Sequence, residues 1–242
     1  MIRKIFTICS VIAISSCSEL QQVVDNLPQQ ATGNTISNGI LSNTDIASGL
    51  REALGLGIEK QVSKLTQKDG FLGNQMVKIL LPEELKKVDK GLRDIGLGSL
   101  ADEGLKVLNR AAEDAVGEAT PIFTEAVKGI TFNDAKNILL GEDNAATNYL
   151  ENGTKKALYS KFNPVIKNSF NKVGADKVWS SIISKYNSIP FVNKVNPDLT
   201  DYTTQEALKG VYTMIAVEEK EIRNKVGSRS TDLLQKVFAL QD

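Results

Sequence analysis

Histidine is absent from the 242-residue sequence, and its two cysteines, Cys9 and Cys17, lie close to the amino terminus. Without histidine, a Ser–His or Cys–His nucleophile cannot form, and neither can a zinc site with the usual nitrogen and sulfur ligands. The rest of the chain also has no cysteine pair that could form a disulfide. We therefore expect no cofactor and no metal site of these kinds.

Aromatic residues are scarce, and the charges balance. Aromatics make up 6% of the chain, and 29 basic side chains match 29 acidic ones. The core must therefore consist mainly of leucine, isoleucine, valine and alanine. No excess of positive charge is available to bind a nucleic acid backbone, so nucleic acid is not an expected partner. The 41% hydrophobic content is typical of a globular protein with a substantial core.

The first sixteen residues have the features of a bacterial signal peptide. Arg3 and Lys4 precede an apolar run at 5–14, which is too short to cross a bilayer as a helix. The sequence ISSC that ends at Cys17 then resembles a bacterial lipobox, in which the cysteine becomes the lipid-bearing first residue. The alternatives are an ordinary cleavable signal and a short anchor helix.

We therefore expect three parts: a signal peptide at 1–16, a lipidated amino terminus and flexible tether at 17–43, and an all-helical globular domain at 44–242. The tether is rich in Gln, Asn, Ser and Thr. Acyl chains on Cys17 would anchor the protein in a membrane, since each buried methylene contributes about 0.8 kcal/mol. Because Ser18 rather than aspartate follows, the sorting rule of some Gram-negative bacteria predicts the outer membrane, with the protein facing the periplasm.

Apolar residues in the globular part recur at steps of three and four, the period of an amphipathic helix. Start and stop signals accompany this period. Thr131 with Asp134, and Thr203 with Glu206, have the spacing of capping boxes that begin helices, and Pro164 predicts the end or a kink of another helix. The sequence thus predicts an all-α, single-domain bundle of about eight to ten helices, with at most a short extended segment near 76–81.

Six separate segments carry a family resemblance. They are LREALGLGIEKQV at 50–62, DGFLGN at 69–74, KILLPEEL at 78–85, the DE…NRAAE…A…PIF pattern at 102–123, AAT at 145–147 and YTTQEALKGVYTMIAVEEKEIR at 202–223. Together they cover nearly all of residues 44–242 in order, and they resemble the bacterial domain-of-unknown-function family 4197. The resemblance implies an envelope lipoprotein or a secreted protein with a signal sequence, and it implies no catalytic residues.

Two groups of polar side chains are candidates for a functional site. They are Asn109, Arg110 and Glu113 on one predicted helix, and Glu218, Glu219 and Arg223 on another. If the groups meet in the fold, they would form a partly buried acid–arginine network that binds a polar ligand or supplies paired carboxylates for acid–base catalysis. The alternatives are a purely structural network between helices, a solvated face, or a carboxylate site for calcium or magnesium.

Four aromatic residues form a second candidate set. Trp179 and Tyr186 lie seven residues apart on one predicted helical face, and Phe170 and Phe191 lie nearby in the sequence. We expect them to pack in the core, and the alternative is a groove for an acyl chain or a peptide.

The leading functional hypothesis is a membrane-tethered envelope protein that binds a ligand or serves as a structural or interaction module. The ligand could be a small molecule, a lipid or a protein, and the membrane is contacted through the acyl chains. The alternative is a carboxylate-dependent hydrolase or lyase of the envelope, with Glu113, Glu218 or Glu219 as candidate acids. No residue is assigned a catalytic role.

Overall fold

The computed structural model describes residues 41–240 with short gaps at 84–85, 95, 97, 176, 178–179, 181–183, 185–186, 189, 192–193 and 195–197. In this part of the chain the α-helices are α1 (Asn43–Leu65), α2 (Lys86–Asp94), α3 (Gly98–Val116), α4 (Ala119–Lys128), α5 (Phe132–Leu139), α6 (Ala145–Val173), α7 (Leu199–Asn224) and α8 (Asp232–Phe238), with a 3-10 turn at Val226–Ser228.

The predicted all-α class is confirmed, and the described residues contain no strand. Among these residues seven helices have eight residues or more, so the predicted number of about eight to ten is slightly too high. The sequence predicted a short extended segment near 76–81. Residues 76 and 77 lie in a turn, and the segment 78–82 is neither helix nor strand. Its neighbour Val77 and its residue Ile79 are buried, whereas Leu80 is exposed.

Capping boxes fix the beginnings of two helices. The Thr131 hydroxyl accepts from the N–H of Asp134, and the Asp134 carboxylate accepts from the N–H of Thr131, as predicted. Ser42 and Asp45 make the same pair of bonds before α1, which the sequence analysis missed. Hydrogen bonds from Ser42 and Thr131 lower the pKa of both aspartates, because they stabilise the ionised carboxylates.

The predicted start of α7 at Thr203 and Glu206 is wrong. The helix begins at Leu199, because the Asp198 side chain accepts from two main-chain N–H groups of the first turn at 3.0 and 3.1 Å. Thr203 lies inside the helix and is completely buried.

Pro164 does not end its helix, since α6 continues from Ala145 to Val173. Pro164 itself is exposed, while Phe162 and Ile166 on either side of it are completely buried. We attribute the continuation to this burial, which offsets the single hydrogen bond that proline removes. Gly174 ends the helix in a left-handed conformation with φ of 67°.

Helices α6 and α7 pack against each other, and α3 packs against both. Helix α1 packs against α7 and also against α4, α5 and α8. Phe123 of α4 meets Tyr212 of α7 edge to face, with ring centroids 6.0 Å apart. Phe170 lies in the core as predicted, but Phe191 is fully exposed, and Trp179 and Tyr186 lie outside the described residues.

Residues from Leu41 to Asp242 form one compact unit. The predicted signal peptide and the predicted lipid attachment site, Cys17, lie outside the described residues. Within the described residues, no helix combines the length and the apolar character needed to cross a bilayer.

Candidate functional site

Asn109, the first member of the predicted polar cluster, holds the segment 78–82 against α3. Its side chain is completely buried. The amide oxygen accepts from the N–H of Ile79 at 2.8 Å, and the amide nitrogen donates to the carbonyl of Ile79 at 2.9 Å and to that of Leu105 at 2.7 Å. One side chain therefore satisfies both main-chain groups of Ile79, as a neighbouring strand would.

Arg110 and Glu113 fix the loop that precedes this segment. One carboxylate oxygen of Glu113 accepts from the N–H of Phe71 at 3.1 Å, and the other accepts from Arg110. Arg110 also donates to the carboxylate of Asp69 at 2.8 Å. Asp69 has a φ of 66°, in the left-handed region that a non-glycine residue rarely adopts. The pair thus stabilises a tight turn that places the fully buried Phe71 in the core.

Glu219 and Arg223 join three helices. Glu219 accepts from the N–H groups of Ala146 at 2.9 Å and Thr147 at 2.8 Å, and so caps the amino end of α6 from a different helix. Arg223 donates to Glu219 at 2.8 Å and to the carbonyl of Ile138 at 2.8 Å, which lies in the last turn of α5. Both side chains are buried, so α7 holds the junction between α5 and α6 through one ion pair.

Glu218 points to another neighbour, α1. It accepts from Lys60 at 2.6 Å and from the buried side-chain amide of Gln61. The helices approach closely here, because a methyl group added at Gly57 would lie 3.2 Å from the Glu218 side chain.

The two predicted groups therefore do not form one site. In the part of the chain that the structure describes, no hydrogen bond or ion pair joins the residues of α3 to those of α7. Each oxygen of the three glutamates accepts a bond from a group held in the fold. This arrangement agrees with one alternative from the sequence analysis, a purely structural network between helices. The described residues also contain no cluster of three or more carboxylates, histidines or cysteines suited to a metal ion.

A cavity of about 660 Å³ opens between residues 76–83 and α7. We call it the lysine groove, because Lys78, Lys86, Lys194 and Lys209 line it together with Glu83 and Glu206. Lys86 pairs with Glu83 at 2.5 Å and Lys209 with Glu206 at 3.6 Å. Lys78 and Lys194 have no ion pair with any described residue, so the described lining of the groove carries a net positive charge.

The walls of the lysine groove also expose apolar surface. Met76 and Leu80 are 59% and 52% exposed, and both line it. Gly210 of α7 lies between the walls, where a methyl group would come within 2.6 Å of the Phe71 ring and 3.3 Å of Val77. Glycine at this position therefore allows α7 to approach the segment closely.

A second cavity of about 470 Å³ adjoins the lysine groove, with which it shares Glu206, Lys209 and Thr213. It lies between α6 and α7 and includes Tyr212. The Tyr212 hydroxyl and the Thr154 hydroxyl lie 2.8 Å apart. Burial raises the pKa of Tyr212 to about 12, because the phenolate would be poorly solvated. Together the two cavities form an elongated surface along α7.

Sequence reasoning identified the buried charges but missed the groove. Lys78 stands in the segment KILLPEEL, and Lys194 in a region rich in proline and asparagine that the sequence marks as a loop. Neither has a spacing that indicates chemistry, and lysines more than a hundred residues apart give no local signal. The available sign was Leu80 beside Lys78, since in an extended segment successive side chains point to opposite faces, so that Leu80 and Ile79 cannot both face the core.

A family model described as "Protein of unknown function (DUF4197)" matches residues 40–239. The chain belongs to the DUF4197 family. The match confirms the resemblance noted in the sequence, and it includes both helices of the polar cluster and the whole lysine groove. No curated protein and no solved structure matches this DUF4197 chain significantly.

Proposed function

We propose that this DUF4197 chain is a lipid-anchored binding module of the bacterial cell envelope, and that the lysine groove is its ligand site. The proposal rests on a difference between two sets of charged residues, the buried glutamates and the lysines of the groove, in their hydrogen-bond and ion-pair partners. The three buried glutamates have partners within the fold, whereas Lys78 and Lys194 have no ion pair with any described residue and lie in a groove beside exposed apolar side chains. Unpaired charge next to exposed apolar surface is typical of ligand sites and interfaces.

The anchor rests on the sequence. The lipobox-like ISSC ending at Cys17, the tether and the compact unit that begins at Leu41 fit an outer-membrane lipoprotein that faces the periplasm. Metabolic labelling with palmitate tests this: the natural chain should carry label and the Cys17→Ser variant should not. Label that persists in the variant would refute lipid attachment at Cys17.

Native mass spectrometry tests the binding module. The full chain with Cys17→Ser, purified without detergent, should retain a bound mass. Adding Lys78→Glu and Lys194→Glu should remove that mass. Adding Lys161→Glu and Lys167→Glu, which reverse two exposed lysines of α6 outside the groove, should leave it in place. A bound mass that survives the groove changes would place the ligand elsewhere.

The carboxylate-enzyme alternative receives less support from the geometry. A general acid or base needs an oxygen within reach of substrate. Glu113 and Glu219 are 5% and 6% exposed, and main-chain N–H groups of Phe71, Ala146 and Thr147 occupy their oxygens. Their positions suit helix capping and loop anchoring.

A further inference from the structure

We propose that the lysine groove binds an extended acidic peptide segment of a partner protein, which adds as a strand to the main chain of Lys78 and Leu80. This inference rests on the proposed function, since it names the ligand class of the same groove. Three observations carry it: the main-chain groups of the segment, the charge of the groove and its elongated shape.

The segment presents main-chain hydrogen-bonding groups on the side away from α3. In extended chain, successive residues direct their N–H and C=O groups to opposite sides. Those of Ile79 point to Asn109 on α3, and the carbonyl of Leu80 accepts from the hydroxyl of Tyr202 on α7 at 2.7 Å. Because the N–H and C=O of a trans peptide point in opposite directions, the N–H of Leu80 and the carbonyl of Lys78 point away from Asn109 and α3, and both residues line the groove.

Neither of these two groups has a hydrogen-bond partner among the described residues. Main-chain groups in a folded protein are nearly always paired with protein or water. In a parallel strand pair, one residue of the neighbour donates to residue i−1 and accepts from residue i+1. A single residue of an incoming peptide would thus bind the Lys78 carbonyl and the Leu80 N–H together.

The charge of the groove selects an acidic peptide. Lys78 and Lys194 have no ion pair within the described part of the chain, and Lys86 and Lys209 each pair with one glutamate. Glutamate or aspartate side chains of a bound strand would pair with these lysines, while its apolar side chains would cover Met76 and Leu80. Binding of an extended peptide through main-chain hydrogen bonds is a known mode of peptide recognition.

The shape of the groove disfavours the other anionic ligands. A free phosphate or carboxylate would fill a small part of about 660 Å³ and would leave Met76 and Leu80 exposed. An acyl chain needs an apolar tunnel, whereas the described lining of this groove includes six charged side chains. The adjoining cavity, lined by Asn148 and Gln205 among others, extends the surface for a longer chain.

The test uses the full chain with Cys17→Ser and a panel of fluorescein-labelled hexapeptides in which glutamate alternates with valine, leucine, serine or glycine. Fluorescence anisotropy measures their affinities. Matched peptides carry lysine in place of glutamate, or N-methyl groups on the two central residues, which remove main-chain donors without changing charge. We expect binding by acidic peptides, none by the lysine peptides, and a loss of about fivefold to tenfold on N-methylation.

Two variants locate the peptide. Lys78→Glu with Lys194→Glu should weaken binding at least tenfold, and Lys161→Glu with Lys167→Glu should leave it unchanged. Leu80→Pro removes the N–H of Leu80, which would donate to a peptide carbonyl, and should weaken the binding of the unmethylated acidic peptides by about fivefold to tenfold. Thermal unfolding confirms that each variant is folded, and if Leu80→Pro does not fold, the N-methylated peptides alone test the main-chain pairing.

Several results would overturn the peptide proposal. One is the absence of binding by every acidic peptide up to about 1 mM. Another is equal binding by N-methylated peptides, which would indicate charge attraction without strand pairing. A third is charge-dependent binding to phosphatidylglycerol vesicles or inorganic phosphate in place of the peptides. A ligand other than a peptide that depends on Lys78 and Lys194 would overturn this inference and leave the proposed binding function standing.

Discussion

The two halves of α7 use charged residues in opposite ways. In the carboxyl-terminal half, Glu218, Glu219 and Arg223 are buried and bonded to α1, α5 and α6. In the amino-terminal half, Glu206 and Lys209 face the open lysine groove, and their ion pair spans 3.6 Å on the helix surface. The same helix therefore anchors the fold at one end and borders a cavity at the other.

The difference follows from the cost of burial. A charge removed from water is tolerated only when partners satisfy it, so a buried network is complete or the fold does not form. An exposed lysine remains hydrated and needs no partner within the fold, so it is available to bind a ligand. The partners of the buried charges therefore indicate a structural role, and the lysines without a partner among the described residues support the binding role proposed for the groove. The following predictions separate these roles, from the largest expected effect to the smallest.

Removal of Glu219 should have the largest effect. Glu219→Ala takes the cap from α6 and leaves Arg223, which is 8% exposed, without its acid. Loss of one partner from a buried pair costs about 3 to 5 kcal/mol, and urea unfolding would measure it. Glu221→Ala is the matched control, since Glu221 pairs with Lys225 at the surface and should cost less than about 1 kcal/mol. Similar losses for both variants would contradict a structural role specific to Glu219.

Removal of Asn109 should have the next largest effect on stability, and it should also weaken binding at the lysine groove. Asn109→Leu leaves the N–H and carbonyl of Ile79 without partners, at a cost of about 2 to 3 kcal/mol. The segment that forms one wall of the groove would also lose its support, so acidic peptides should bind more weakly. Asn168→Leu, an exposed change on α6, should alter neither quantity. A stable Asn109→Leu variant would show that the segment does not depend on α3.

The sequence predicted the all-α class because apolar periodicity is a local property. Leu50, Leu54 and Ile58 repeat at helical spacing and are buried as expected. The capping box at Thr131 is also local, since its two partners lie three residues apart. The Thr203 start was wrong because the same local pattern also fits a helix interior, and the real cap, Asp198, bonds to residues two and three positions further on.

The candidate site was predictable in part. All six residues chosen for the polar cluster are held by hydrogen bonds, but whether they meet depends on how the helices pack. Glu219 caps a helix that begins more than seventy residues earlier, and Asn109 bonds a segment thirty residues away. No spacing in the sequence encodes such pairings. The groove depends on packing in the same way.

Substitution of Tyr212 should have an effect of intermediate size on the free energy of unfolding, and this effect should depend on pH. Its pKa rises from 10.0 to about 12 in the folded protein. Between these values the unfolded chain loses the proton while the folded chain keeps it, so stability should fall as pH rises from 10 to 12, by on the order of 2 kcal/mol. Tyr212→Phe should remove most of this dependence. At neutral pH it should cost about 1 kcal/mol, since the Thr154 hydroxyl loses its partner.

Urea unfolding at pH 8 and at pH 11 would measure both effects. Some alkaline dependence should remain in Tyr212→Phe, because the pKa of Tyr149 is raised by burial and that of Tyr159 by its hydrogen bond to Asp201. An unchanged dependence in the variant would contradict the assignment to Tyr212.

Charge reversal of the two lysines in the lysine groove should have the smallest effect on stability. It can be compared directly with charge reversal of a lysine in the structural network. Lys78→Glu with Lys194→Glu should change the free energy of unfolding by less than about 0.5 kcal/mol, since neither lysine pairs with a described residue. Lys60→Glu is the counterpart on α1. Its side chain is 52% exposed, but it pairs with the buried Glu218, so reversal should cost about 1 kcal/mol or more.

Urea unfolding of both variants decides between the two roles for lysine. If the groove variant lost as much stability as Lys60→Glu, Lys78 and Lys194 would be part of the structural network, and the argument for a ligand at the groove would fail. If it kept its stability and lost peptide binding, the charges at the two ends of α7 would be separable, one set needed for folding and the other for recognition.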